Sequence, residues 1–347
     1  MIKGRVKITD LAKELGVSTS TVSRALSNEG RISAKTRAAV TKLANEWGYK
    51  PNPFAINLLK KQSKNIGLVL PEFTHHYFSK VLDGISKVLD AKEYHLFINT
   101  HEGQVEKEQK AIGMLNAMRV DGIIASYARE TSDFAHYLEV IEDDVPLVFL
   151  DRMCEDLDAS YVITDDFSGC IEAVSHLKAA GRQNILHIAG PENLSTSFNR
   201  RIGFKEGLKQ NELTINDALV VGTEDDSWKD SLIKIVKSEN VDGILAFSDY
   251  LAFEAVEILK SKGINVPNDI SVIGFADEPV ASYMSPKLTT VRQPAELMGQ
   301  RAAEMLLWHI ENPDSTEFLC ETLPTELHVR ASTIPAKKPL AVLKNVS

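Results

Sequence analysis

Two kinds of periodicity divide this 347-residue chain. Near the start, apolar positions recur at helical intervals: Leu11, Ala12 and Leu15, then Val22, Ala25 and Leu26, then Ala39, Val40, Leu43 and Ala44. Spacing of three and four residues places each set on one face of a helix. Thr9 is expected to cap the first helix, and Gly16, free to take positive φ, to break it. Val17 plugs the turn, and Ser18 caps a second helix from about Thr19 to Leu26. Ser33 starts a third, which runs to about Trp47 and ends at Gly48.

From residue 65 the pattern changes to short, nearly continuous apolar runs. The expected strands are Ile66–Leu70, His95–Asn99, Gly122–Ser126, Leu147–Leu150, Tyr161–Thr164, Ile185–Ala189, Ala218–Val221, Gly243–Phe247, Ser271–Phe275 and Leu288–Val291. Helical stretches such as Phe78–Ala91 and Leu251–Ser261 lie between them. Strand–helix alternation predicts parallel sheets covered on both faces. Roughly 270 residues and about ten strands are too many for one typical sheet, so two similar α/β lobes are expected. In such sheets ligands bind beyond the carboxyl ends of the strands, which here means the cleft between lobes. The fold class is thus an all-α helix-turn-helix head with a hinge helix, joined to an α/β body of two doubly wound parallel-sheet lobes.

Charge sharpens the division. The net charge is −9, yet residues 1–64 hold 13 Lys and Arg against 4 Asp and Glu, a balance of +9 that leaves −18 on the rest. A basic head on an acidic body points to a polyanion partner for the head alone. The longest apolar runs, Ile66–Leu70 and Pro146–Leu150, are far short of the roughly 20 residues that span a bilayer. MIKGRVKITD has no apolar leader core, and Cys154, Cys170 and Cys320 are odd in number and lack CxxC spacing. The expectation is a cytoplasmic, nucleoid-associated protein without disulfide, metal, cofactor or membrane partner. No phosphate-binding loop, HExxH or GxSxG motif is present, and His75-His76 is the only paired histidine, so catalysis is not expected.

Helix, glycine turn and helix form the helix-turn-helix pattern, whose second helix enters the major groove of double-stranded DNA. Thr19 and Ser20 sit at the exposed start of that helix, with Arg24 a turn further on, suited to a bidentate contact with guanine. Ser18, Thr21, Ser23, Ser33 and Thr36 are short hydroxyl donors near helix N-termini, where phosphates bind. The competing reading makes them helix caps only. Downstream, Asn52 as N-cap and Pro53 at the first helical position start a helix of about two turns, marginal alone. Leu58 and Leu59 on so polar a segment suit an apolar wedge in the minor groove.

GVSTSTVSRALSNEGRISAKTRAAVTKLANEWGYKPN, the short Ala55–Leu58 helix and SKNIGLVLP resemble the lactose-repressor (LacI/GalR) family of bacterial transcription factors. The resemblance continues through Val120–Ile124, Leu150-Asp151-Arg152, Asn199–Phe204, Val266–Phe275 and Pro286–Pro294 into a body similar to periplasmic sugar-binding proteins. It implies base reading by Thr19, Ser20 and Arg24, minor-groove insertion of Ala55 and Leu58, and further DNA contacts from Tyr49 and Asn52. It divides the chain into a head at 1–51, a hinge at 52–64, a body at 65–335 and a tail at 336–347. Within the body it implies one lobe at about 65–163 with 292–320, and another at about 164–291 with 321–335.

Effector contacts are implied for His75, Tyr77, Phe78, Thr196, Arg200, Trp228, Asp249 and Asp277. The alternatives are a surface Arg200 paired with Glu206 or a similar acid, and packing of Trp228, Tyr77 and above all Phe78 in their own lobes. The sequence departs from the family pattern at Ile56, where Arg or Gln is usual, and at Ser248, where Asn is. A third departure is Ala276, where an aspartate usually follows Gly-Phe. The reading is a homodimeric repressor of a pseudo-palindromic operator, controlled by a small molecule, first a carbohydrate. The alternatives are a purine or nucleoside effector, or control by a protein partner.

Overall fold

The computed structural model describes residues 6–27, 30–50, 62–154 and 156–334, in two units that divide between Ser63 and Lys64. The expected hinge contacts Asn52, Ala55 and Leu58, the departure at Ile56 and the tail at 336–347 lie outside the described residues.

The head is three helices: α1 (Ile8–Leu15), α2 (Thr19–Leu26) and α3 (Ala34–Trp47). Leu11, Ala12, Val22, Ala25, Val40 and Ala44 form its buried centre. Gly16, at φ 65°, ends α1 in the left-handed region, and the Val17 N–H closes onto the Ala12 carbonyl at 3.0 Å. Two expectations are corrected. Helix α1 begins at Ile8 with Lys7 as its cap, so Thr9 lies inside the helix. The Lys7 N–H donates to Asp10 Oδ2 at 2.9 Å, so a third-position carboxylate, well placed against the helix dipole, does the capping. Ala39 is exposed, because Val40 and Ala44, one turn apart, already fill the inward stripe and their neighbour is rotated away from it.

The body holds two six-stranded sheets. In the first, the order is β11 (Cys320–Leu323), β5 (Ser160–Thr164), β4 (Leu147–Leu150), β3 (Gly122–Ala125), β1 (Asn65–Leu70) and β2 (His95–Thr100). All of its pairings are parallel. The second runs β12 (Glu326–His328), β10 (Thr289–Arg292), β9 (Ser271–Ala276), β8 (Gly243–Ala246), β6 (Ile185–Ile188) and β7 (Val220–Val221). Only β12 is antiparallel there. Strands β3, β4, β6 and β8 are buried along their whole length, as strands covered by helices on both faces must be. Half of the expected strand Ala218–Val221 belongs to a 3-10 turn, Asp217–Leu219, which leaves only two strand residues.

The chain crosses between lobes three times: after β5, after β10, and between β11 and β12. The expected last crossing at residue 320 is too early. Cys320–Leu323 pairs in register with β5, so the first lobe extends through Leu323. This edge strand has little apolar content, and only Leu323 of it is buried, which hid it from the apolar pattern. The crossings are stitched together. The Asp165 N–H donates to the Leu323 carbonyl at 2.8 Å, Thr325 Oγ1 to the Asp165 carbonyl at 3.2 Å, and Gln293 Nε2 to Thr164 Oγ1 at 2.9 Å.

Helix α4 (His76–Asp90) packs against α11 (Ala295–Glu311), and both cover the first sheet. Glycines set their distance. A Cβ on Gly84 would lie 2.0 Å from the Glu296 carbonyl oxygen, and one on Gly299 2.0 Å from that of Val81. The two backbones meet directly, which fixes the start of α4 at the cleft.

Candidate DNA-reading face and interlobe cleft

In the head, Ser18 Oγ accepts the Thr21 N–H at 3.1 Å and lies 2.8 Å from the hydroxyls of Ser20 and Thr21. Ser33 Oγ accepts the Thr36 N–H at 3.1 Å and meets the Thr36 hydroxyl at 2.8 Å. These serines are therefore helix caps, and the capping alternative holds for them whatever else they touch. Thr19, Ser20 and Arg24 are exposed on one helix, Ser23 is half-buried, and Tyr49 is half-buried against the head core. The Arg24 side chain passes beside Gly30, where a Cβ would lie 3.3 Å from its Cδ, so Gly30 leaves room for its stem.

In the body, residues just beyond the strand ends enclose a cleft of about 170 Å³. Arg200, on α8 (Ser195–Gln210), is its centre. The residue is 5% exposed, and its Nε donates to Asp166 Oδ2 at 2.8 Å. Its guanidinium lies 3.8 Å from the Phe275 ring centroid and 4.5 Å from that of Phe247. Asp166, at the start of α7 (Asp166–Ala179), also accepts from the Thr164 hydroxyl at 2.5 Å, and burial pushes its carboxyl above the usual range. Arg200 thus pairs with Asp166, and Glu206 bonds Lys209 and Gln210 instead.

Across the cleft, the Tyr77 hydroxyl donates to Asp151 Oδ1 at 2.8 Å, and burial pushes the phenol well up. Arg152 Nε is 3.7 Å from Asp151 Oδ2, and its guanidinium also donates to the Tyr127 carbonyl. His75 is 3.0 Å from Glu72 and stacks on Tyr250 of the opposite lobe, with centroids 4.2 Å apart. Glu278, 4% exposed at the end of β9, reaches over from the second lobe. Its carboxylate accepts the N–H groups of His76 and Tyr77 at the start of α4, both at 3.2 Å. Asp249, at the start of α10 (Asp249–Ser261), accepts from Thr290 Oγ1 at 2.6 Å and from the Glu278 N–H at 2.7 Å. Burial pushes the Asp249 carboxyl up to about 7. On the far side, the Ser195 N–H donates to the Tyr127 hydroxyl at 3.1 Å. The lobes are closed upon one another by hydrogen bonds on both flanks.

Of the expected effector contacts, His75, Tyr77, Phe78, Thr196, Arg200 and Asp249 line this cleft. Trp228 does not. With Leu232 and Val236 it is the buried stripe of α9 (Trp228–Ser238), packed on Leu219 and Val221. Asp277 is also displaced. It accepts from Arg330 at 2.6 Å, lies 3.0 Å from His328, and borders a neighbouring cavity of about 510 Å³. With Ala276 at φ 120° and Asp277 at φ 59°, the chain turns there and presents Glu278 to the cleft. Sequence reasoning missed Glu72, Asp151, Arg152, Phe247, Tyr250, Phe275, Glu278 and Gln293 as lining residues. Asp151, Arg152, Phe247 and Ser248 directly follow β4 and β8, so a strict reading of strand ends finds them. Among the described residues, no cluster of His, Cys, Asp or Glu could hold a metal, and no helix is long and apolar enough to cross a membrane.

A helix-turn-helix head carried by a two-lobed α/β ligand-binding body defines a class of bacterial transcriptional regulators. Residues 7–52 match the model for bacterial regulatory proteins of the lacI family, and residues 174–333 match the periplasmic binding protein-like domain. The chain is 34% identical to the HTH-type transcriptional regulator DegA of Bacillus subtilis over 85% of its own length and 88% of that protein. It is 31% identical to a ribose operon repressor of Halalkalibacterium halodurans, covering 94% of this chain and 96% of that one. The lac repressor dimer bound to operator and the anti-inducer ONPF superposes with a TM-score of 0.81 at 27% identity, covering 96% of this chain and all of that one. The chain belongs to the lacI family and is a DNA-binding transcriptional regulator with a ligand-binding domain.

Proposed function

We propose that this regulator represses transcription from a pseudo-palindromic operator as a homodimer, and that a small molecule between its lobes, a sugar or sugar derivative, sets its operator affinity. The observation that carries the reading is the cleft, where a guanidinium held between Phe247 and Phe275 stands among hydrogen-bonding carboxylates, the furniture of a polar, ring-shaped ligand. Its closure is held by contacts from both lobes, so a ligand that bonds both changes their relative stability in open and closed forms. Operator and effector then bias one two-state element, with a coupling typically around 1–3 kcal/mol.

Two-fold symmetry supports the operator reading, with one head per half-site. Exposed apolar groups on the body suit a second copy: Phe97 and Ile98 on the edge strand β2, Met114 and Met118 at the end of α5 (Val105–Ala117), and Tyr283 beyond β9. Ser18, Ser33 and Thr36 would hold phosphates only alongside their capping bonds, while Thr19, Ser20 and Arg24 read bases. Leu58 and Ala55, outside the described residues, would enter the minor groove.

An operator mobility-shift assay across metabolites tests the reading. A monosaccharide or derivative that changes operator affinity about tenfold or more is the expected result. Silence of every metabolite, with a protein in cell extract changing the affinity, would replace it with control by a protein partner.

A further inference from the structure

We infer that the effector is an uncharged, hydroxyl-rich compound of monosaccharide size, and that Glu278 is the residue that keeps anionic compounds out. The inference rests on the small-molecule reading of the cleft and narrows it.

Both arginines of the cleft already have an acid of the protein's own. Arg200 holds Asp166 at 2.8 Å, and Arg152 lies 3.7 Å from Asp151. His75 is 3.0 Å from Glu72. The start of α4 is the place where a phosphate or carboxylate would otherwise dock, because its first N–H groups point outward and the helix dipole favours negative charge. Glu278 occupies it, taking both the His76 and Tyr77 N–H groups. Asp249 holds Glu278 in place by accepting its N–H, and accepts from the Thr290 hydroxyl as well.

A phosphorylated sugar or a uronate entering here would lose its hydration and find acceptors where it needs donors. Burying a charge without a counter-charge is among the costliest changes available to a ligand. A neutral polyol finds the reverse, since carboxylate oxygens accept from hydroxyls and Phe247 and Phe275 offer apolar faces to a ring. About 170 Å³ equals the liquid volume of some six waters at ~30 Å³ each, room for one such ring.

The placement of Glu278 is peculiar to this turn. Ala276 lines the cleft with only a methyl group, Asp277 turns away to Arg330, and Glu278 is delivered across the cleft. Replacing it with glutamine keeps the size and removes the charge. Replacing it with alanine also bares the two N–H groups.

The test uses the full chain, with thermal shift and calorimetric titration against neutral pentoses and hexoses, their phosphates, the corresponding uronates, and purine bases. At least one neutral sugar is expected to bind native protein ten times or more tightly than its phosphate or uronate. Glu278→Gln and Glu278→Ala are expected to shrink that ratio at least tenfold. An anionic compound or a purine that binds native protein more tightly than every neutral sugar overturns the inference and leaves the small-molecule reading standing. A ratio unchanged in both variants removes Glu278 from specificity. Silence of every compound overturns inference and reading together. Should one variant fail to fold, the other still tests Glu278, and the ratio in native protein decides the class of effector.

Discussion

The two candidate functional regions are built in opposite ways. The head presents Thr19, Ser20 and Arg24 within six consecutive residues, all exposed on one helix. The cleft is assembled from distant stretches between Glu72 and Gln293, and its central side chains are buried and bonded to one another. A reading surface must stay available to a partner that supplies the complementary groups. An enclosed ligand site must satisfy its own charges while it waits. Changes in the head should therefore alter recognition with little effect on stability, whereas changes in the cleft should alter both.

The largest expected effect is at Arg200. Arg200→Ala leaves Asp166 buried without its counter-charge, which typically costs about 3–5 kcal/mol. Urea unfolding of the variant should show a loss of that order, and restoring neutrality with Asp166→Asn in the same chain should recover part of it. An unchanged midpoint would mean that the guanidinium is not structural.

Next is pH. The folded-state carboxyl of Asp249 sits at about 7, above the unfolded value near 3.9, so the folded state binds the extra proton. The contribution of that group is most favourable at low pH and is lost as pH rises from about 4 through 7. Native stability minus that of Asp249→Asn should fall across this window by roughly 2–4 kcal/mol. A flat difference would contradict the burial argument.

In the head, Arg24→Ala should cost about 1–3 kcal/mol at one operator base pair and relax preference there, with the melting temperature unmoved. A footprint and base preference identical to native would take Arg24 out of base readout. Smallest is Ser33→Ala, which removes an N-cap bond and should lower the stability of the head by about 1 kcal/mol. A comparable fall in non-specific DNA binding at constant stability would assign the hydroxyl to phosphate instead.

The same contrast explains what was legible in the sequence. Head helices follow from local signals, because Gly16, Ser18 and Ser33 act on their immediate neighbours, and the one misplaced boundary arose where Asp10 outcompeted Thr9. The strands of the body were legible because burial on both faces writes continuous apolar runs. Edge strands β11 and β12 were not, since little of them is buried. Trp228 was misread because an aromatic amid polar residues looks exposed until its fourth and eighth successors are seen to share its face. Glu278 was passed over for its neighbour Asp277. Its role depends on the positive φ of two preceding residues and on a helix more than two hundred residues earlier.

One chain of hydrogen bonds joins the crossings to the candidate cleft. Gln293 donates to Thr164, Thr164 to Asp166, and Asp166 receives Arg200. Two of its members, Thr164 and Gln293, sit at crossings between lobes, and its last faces the cleft. On the proposed reading, recognition and mechanical stiffness would share parts: a substitution at Asp166 would disturb both the Arg200 guanidinium that faces the cleft and the bonds that tie the crossings together, so affinity and responsiveness would shift together.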